Sequence, residues 1–270
     1  MLLRALSTLL LAAAVSPAAT AALVQRPVAE ETEAEAAARA ALEARAKEAV
    51  KALSTGLRAK DPNERRAALT DASEVVHPKV VKAMARALDD RDAGVSTHTV
   101  VLLGLMDLPE SVSALRKHAR RAKKALAMDP GRHVAVLRSI GMHEDQDQVL
   151  WLLDGVFVEK EGSVRRARIF SAARTRTVET LEAIFDALGK QDLRRTDDSR
   201  RDLRTALVYL TGTDQGESMR SWLRWWRENR KGFELPEKAP TLSGQMLEAW
   251  GRFWGEDREQ PRQRRRGDRG

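Results

Sequence analysis

The sequence contains no cysteine, which removes disulfide frameworks, thiolate nucleophiles, cysteine metal clusters and a lipid-attachment cysteine in one step. Aromatic residues are only 4% of the 270 residues, with a single tyrosine. Runs of β-branched residues with two-residue alternation are scarce as well, so extended sheet has little support. Long apolar runs are also missing. The stretch Ala5 to Val15 covers about 11 residues, against the roughly 20 that a membrane-crossing helix needs. The five histidines, His77, His98, His118, His133 and His143, include no pair three or four apart, which excludes a metal pair on one helix face. Phosphate-cradling glycine loops, the Gly-x-Ser-x-Gly elbow and the zincin motif are lacking too. No motif assigns a residue to catalysis or to holding a cofactor or metal, and no small-molecule substrate is evident.

What remains is 43% hydrophobic and 32% charged, a balance that folds. Alanine, leucine, arginine and glutamate dominate, and their spacing follows the helical period, so the expected fold class is all-α.

Residues 1–21 follow the plan of a secretory signal: Arg4, the apolar stretch, Ser16-Pro17, and small residues up to Ala19-Thr20-Ala21. Cleavage after Ala21 is expected, making the protein an exported, periplasmic or secreted, bacterial one with no transmembrane segment afterwards. Residues 22–60 hold a linker with Pro27 and an Ala/Glu-rich helix from about Glu30 to Ala59. Its charge runs from acidic to basic, which complements the helix dipole, and Glu43 and Lys47 stand one turn apart.

From residue 61 the chain punctuates itself. Asp61-Pro62 and Asp129-Pro130 each pair an N-cap acceptor with proline at the first helical position, and His77-Pro78 and Leu108-Pro109 repeat the proline signal. Five ten-residue windows share a pattern: ERRAALTDAS from Glu64, VSTHTVVLLG from Val95, RHVAVLRSIG from Arg132, VRRARIFSAA from Val164 and LRTALVYLTG from Leu203. Their starts lie 31, 37, 32 and 39 residues apart, the interval of paired-helix repeats that bury their apolar faces only by stacking. The intervening stretches carry stripes of their own, such as Val80, Met84, Ala87 and Leu88; Val149, Leu152, Leu153 and Val156; and Val178, Leu181, Phe185 and Leu188. Within the second window, Val95, Thr99, Leu102, Leu103 and Met106 line one face.

These residues resemble the HEAT-like repeat family, which includes bacterial lyase-type members. Asp92, Val95, Leu103 and Gly104 match its first-helix pattern, as do Val164, Arg165 and Ala167, while Ser96 stands where arginine is usual and Thr99 where alanine is usual. The resemblance covers about residues 60 to 230. It implies an α-solenoid of about four to five stacked helix pairs over residues 61–212. Residues 213–254 then read as Trp-rich capping helices. Trp222, Leu223, Trp225 and Trp226 crowd one, and Met246, Trp250, Phe253 and Trp254 share one side of the other. Packing at the solenoid end is the expected role of these indoles, with stacking on sugars or bases as the other reading. Residues 255–270 hold six arginines and four acids with almost nothing apolar, a composition expected to be disordered.

The net charge is +8, and its densest cluster is the basic helix at 110–128. Val112, Leu115, Ala119, Ala122 and Leu126 form the seam of that helix, while Arg116, Lys117, Arg120, Arg121, Lys123 and Lys124 cover the rest without an acid between them. Such a face suits another protein or an anionic macromolecule. The leading expectation is therefore a non-enzymatic scaffold or protein-binding module. The alternative is a nucleic-acid-binding protein of the HEAT-like DNA glycosylase kind, which export disfavours; a bilin lyase follows only from analogy within the family. The segment HEDQD at 143–147 could hold a divalent ion, but it reads better as an acidic turn before the next helix.

Overall fold

The computed structural model describes residues 32–190 and 199–255; the expected signal and the tail beyond Gly255 lie outside them. The chain divides into two compact units, Met1–Arg39 and Ala40–Gly270. In the first, the described residues open helix α1 (Glu33–Gly56) with a reciprocal cap. The Thr32 N–H donates to Glu35 Oε2 at 2.9 Å and the Glu35 N–H donates to Thr32 Oγ1 at 3.3 Å.

Among the described residues the fold is all-α, with no strand. Helices α2 (Pro62–Ser73), α3 (Pro78–Met84), α5 (Pro109–Arg121) and α7 (Pro130–Gly141) all begin at a proline that the sequence marks. Asp61 accepts from the Asn63 N–H at 2.9 Å, Asp129 from the Arg132 N–H at 3.0 Å, and His77 Nδ1 from the Lys79 N–H at 3.1 Å. The remaining helices are α4 (Ala93–Leu105), α6 (Lys123–Met128), α8 (Gln146–Leu153), α9 (Gly162–Arg174), α10 (Val178–Gly189), α11 (Arg200–Thr211), α12 (Met219–Asn229) and α13 (Gly244–Trp254). A 3-10 turn, Ala85–Asp89, extends α3.

The five repeating windows fall in α2, α4, α7, α9 and α11. These pack in succession, α2 on α4, α4 on α7, α7 on α9 and α9 on α11. Between them α3 packs on α5, α8 on α9 and α10, and α10 on α12. Close approach explains the glycine that ends two windows. A Cβ on Gly104 would stand 2.7 Å from Ser139 Cβ, and one on Gly141 would stand 2.5 Å from Ser171 Cβ. Each serine is the eighth residue of the next window, so small residues meet at the same register twice.

Two apolar clusters form the core. One gathers Leu69, Val80, Met84, Val95, Leu103 and Leu115, and the other Leu152, Phe170, Leu181, Leu207 and Trp222; the half-buried Trp151 borders both. Leu103 and most of the other expected stripe residues, among them Val80, Met84, Val149, Leu152, Leu181 and Leu188, are buried, while Val178 is half-buried. At about 1.5–3 kcal/mol for each large side chain, these stripes offset the ordering cost only because a neighbouring helix covers them.

The late tryptophans are packed inward. Trp226 stacks on Phe185 with centroids 5.1 Å apart, Trp250 lies 4.1 Å from Tyr209 and 5.1 Å from Phe170, and Trp222 Nε1 donates to the Gly216 carbonyl at 2.8 Å. Gly212, at φ +72°, turns the chain out of α11 in the left-handed region that glycine tolerates.

Candidate basic interaction surface

The basic segment departs from the expected single helix. It breaks at Ala122 (φ −87°, ψ 11°) into α5 and α6. Like charges one turn apart, Arg116 with Arg120, Lys117 with Arg121 and Arg120 with Lys124, disfavour a continuous helix there, and the break still lets Leu126 reach the core. The seam is otherwise as expected: Val112, Leu115, Ala119 and Leu126 are buried, with Ala122 half-buried at the break.

Four of the six cations share a groove of about 700 Å³. Arg116, Lys117, Arg120 and Arg121 line it on the α5 side, with Asp145 and Gln148 of the α8 entrance opposite. Lys123 and Lys124 stand apart from that groove, exposed on α6. Lys117, Arg120, Lys123 and Lys124 make no ion pair among the described residues, whereas Arg121 is held by Asp89. Buried beside the groove, the Arg116 Nε–H has no hydrogen-bond partner.

The structure adds cations that the sequence reading passed over. A second groove, about 780 Å³, runs between α3 and α5, and Lys79, Lys82 and Arg86 line it together with Lys117 and Arg121. Because Lys117 and Arg121 border both grooves, the cations form one strip across α3 and α5. Lys79 is partly compensated, its Nζ donating to Glu43 at 2.5 Å, and Asp89 and Glu110 are the acids of this groove. The signal was available: positions 79, 82 and 86 have i, i+3, i+7 spacing, which sets them on one helix face.

Behind the strip a hydroxyl, an imidazole and a carboxylate come together without forming a nucleophilic relay. His118 Nδ1 is 3.0 Å from Asp89 Oδ1, but its Nε2 faces the Arg132 guanidinium at 3.4 Å. Ser96 Oγ donates to the Leu88 carbonyl at 2.5 Å and accepts from Arg132 at 2.5 Å. No base addresses the hydroxyl, and both Ser96 and His118 are fully buried. Burial holds the His118 imidazole below its usual range, against the pull of Asp89. This network also gives a role to Ser96, the second residue of its window. In α2 the equivalent Arg65 binds Asp90 with two bonds at 2.8 and 2.9 Å and caps the Ala59 and Lys60 carbonyls. In α4 the guanidinium comes instead from α7, where Arg132 reaches the Leu88 carbonyl at 2.9 Å.

The HEDQD segment is engaged piece by piece. His143 Nε2 lies 3.1 Å from the Leu103 carbonyl, Glu144 pairs with Arg174 at 3.0 Å, and Asp145 caps α8 by accepting from the Asp147 N–H at 2.9 Å. No group of three or more potential metal ligands gathers among the described residues. No helix among them is long and apolar enough to cross a membrane. In comparisons with known proteins, neither a family model nor a curated protein matches the chain.

Proposed function

We propose that this chain is an exported HEAT-like repeat module that holds a partner protein by an acidic surface, without catalysis of its own. The observation carrying this reading is the two-groove strip across α3 and α5, where Lys82, Arg86, Arg116, Lys117, Arg120 and Arg121 outnumber the acids Asp89, Glu110 and Asp145. An anionic surface meeting such a strip gains steering and orientation. The helix pairs act as a solenoid of about four to five units. In it α2, α4, α7, α9 and α11 are the first helices, and the Trp-rich α12 and α13 cover the last apolar face. The recurrence of the windows in mutually packed helices supports that reading. The signal-like pattern of residues 1–21 supports export.

Binding of fluorescent poly-L-glutamate at low salt tests it, with a duplex DNA of matched charge measured in parallel. Neutralising Lys82, Arg86, Lys117 and Arg120 together to glutamine is expected to weaken polyglutamate binding about tenfold or more, while Tm stays within about 2 °C because these side chains are exposed and make no ion pair among the described residues. Unchanged affinity in that variant overturns the proposal. Tighter binding of DNA, with a steep fall as salt rises, replaces it with nucleic-acid recognition by the same strip.

A further inference from the structure

A third groove, about 750 Å³, is built from other helices. Its floor is Arg138 of α7, Arg166 of α9 and Arg201 of α11, and its wall is α13, which contributes Met246, Arg252 and Phe253. The volume falls in the range of about 300–1,000 Å³ typical of ligand clefts. Its charges are unevenly satisfied. Arg166 Nε donates to the buried Asp202 at 2.8 Å, and Arg204 is held by Asp214. Arg138 donates only to a neutral acceptor, the Phe253 carbonyl, at 3.2 Å. Arg201 and Arg252 are exposed and reach no carboxylate among the described residues. Among the described residues, three guanidinium groups are therefore left facing Glu248, the other acids of the lining, Asp202 and Glu217, standing against Arg166 and, at 3.9 Å, Arg204.

Packed helices are about 8–10 Å apart, and a chain in the polyproline II conformation advances about 3.1 Å per residue with three residues per turn, so every third side chain points the same way. A chain of that form crossing α7, α9 and α11 thus presents one side chain to each successive helix. We propose that this groove binds an extended acidic peptide segment, with carboxylates spaced to meet the arginines of successive helices and apolar side chains between them resting on Met246 and Phe253. A polyanion charged at every residue is disfavoured, because Glu217 and Glu248 line the same groove. The site uses none of the residues of the α3 and α5 strip, so it stands independently of the function proposed above.

The test is fluorescence anisotropy of the full chain with a labelled twelve-residue peptide of repeating Glu-Leu-Ser, at low salt. Saturable binding is expected, weakened about tenfold or more in the double variant Arg201→Glu, Arg252→Glu and strengthened at least about twofold in Glu248→Arg. A gain of affinity is a result that a folding defect does not produce. The four-glutamine variant of Lys82, Arg86, Lys117 and Arg120 is expected to bind this peptide as the wild type does. No saturable binding, or an affinity that neither groove variant moves, overturns the proposal; a loss confined to the four-glutamine variant assigns the peptide to the strip instead.

Discussion

Ser171 stands where Gly141 leaves room for it, and the pair shows how little tolerance these helix contacts have. A Cβ at position 141 would meet not only the serine side chain but its Cα, 2.7 Å away, so relief would require moving backbone. Gly141→Val is expected to cost about 3 kcal/mol, roughly 6–12 °C in Tm, read by thermal melting of far-UV circular dichroism. A melt within about 2 °C of wild type would show that α7 and α9 are less closely packed than this. The terminal glycine was legible in the sequence as a recurring window end, but the reason for it was not: the serine it meets is 30 residues further on, and only packing brings the two together.

Helix α13 is held to the rest of the fold by aromatic contacts. Trp250 lies against both Tyr209 of α11 and Phe170 of α9, Phe253 meets Phe170 edge-on at 5.5 Å, and Arg174 stands 4.8 Å over Trp254. Trp250→Ala is expected to destabilise by about 3–5 kcal/mol, with Trp250→Phe losing less. Equal melts for Trp250→Ala and wild type would mean that α13 adds no stability. Helix starts marked by proline, the five windows and the Trp-bearing helices were readable from sequence because their causes are local: caps, period and ring size. The break at Ala122 was not, since it balances like-charge repulsion along α5 and α6 against burial of Leu126. The extension of the basic strip was missed for a related reason. Lys79, Lys82 and Arg86 are dilute within their own helix and become a cluster only beside α5.

Charge distribution also governs how the folded chain responds to acid. His98, His118, His133 and His143 are all held below their usual range, in each case chiefly by burial. The folded chain therefore binds protons at these sites less readily than the unfolded chain, whose imidazoles titrate near pH 6.5. Below about pH 6.5 the unfolded state takes up the extra protons, and stability falls as pH drops. Asp214, lowered by its hydrogen bond from Arg204, adds a loss at more acid pH, below about 4. Asp202 acts in the opposite sense: burial raises its carboxyl despite Arg166, so protonating it favours the fold. With four imidazoles against one carboxyl, Tm is expected to decline between about pH 7.5 and 5.5. A Tm that is flat or rises across that interval would contradict the burial of the histidines.

The guanidinium that α7 supplies to α4 bears on how such a chain can change over generations. Arg132 completes the bonding of Leu88, in the 3-10 turn before α4, and of Ser96 in α4, so α4 and α7 are not interchangeable parts. Excising α7 would leave the Leu88 carbonyl and the Ser96 hydroxyl bonded only to each other, each short of its second partner although both residues are buried, and a duplicate of α4 would lack that guanidinium beside it. Gain or loss of whole helices is thereby restricted at this junction, whereas α2, whose own Arg65 caps the carbonyls of its approach, carries its donor with it.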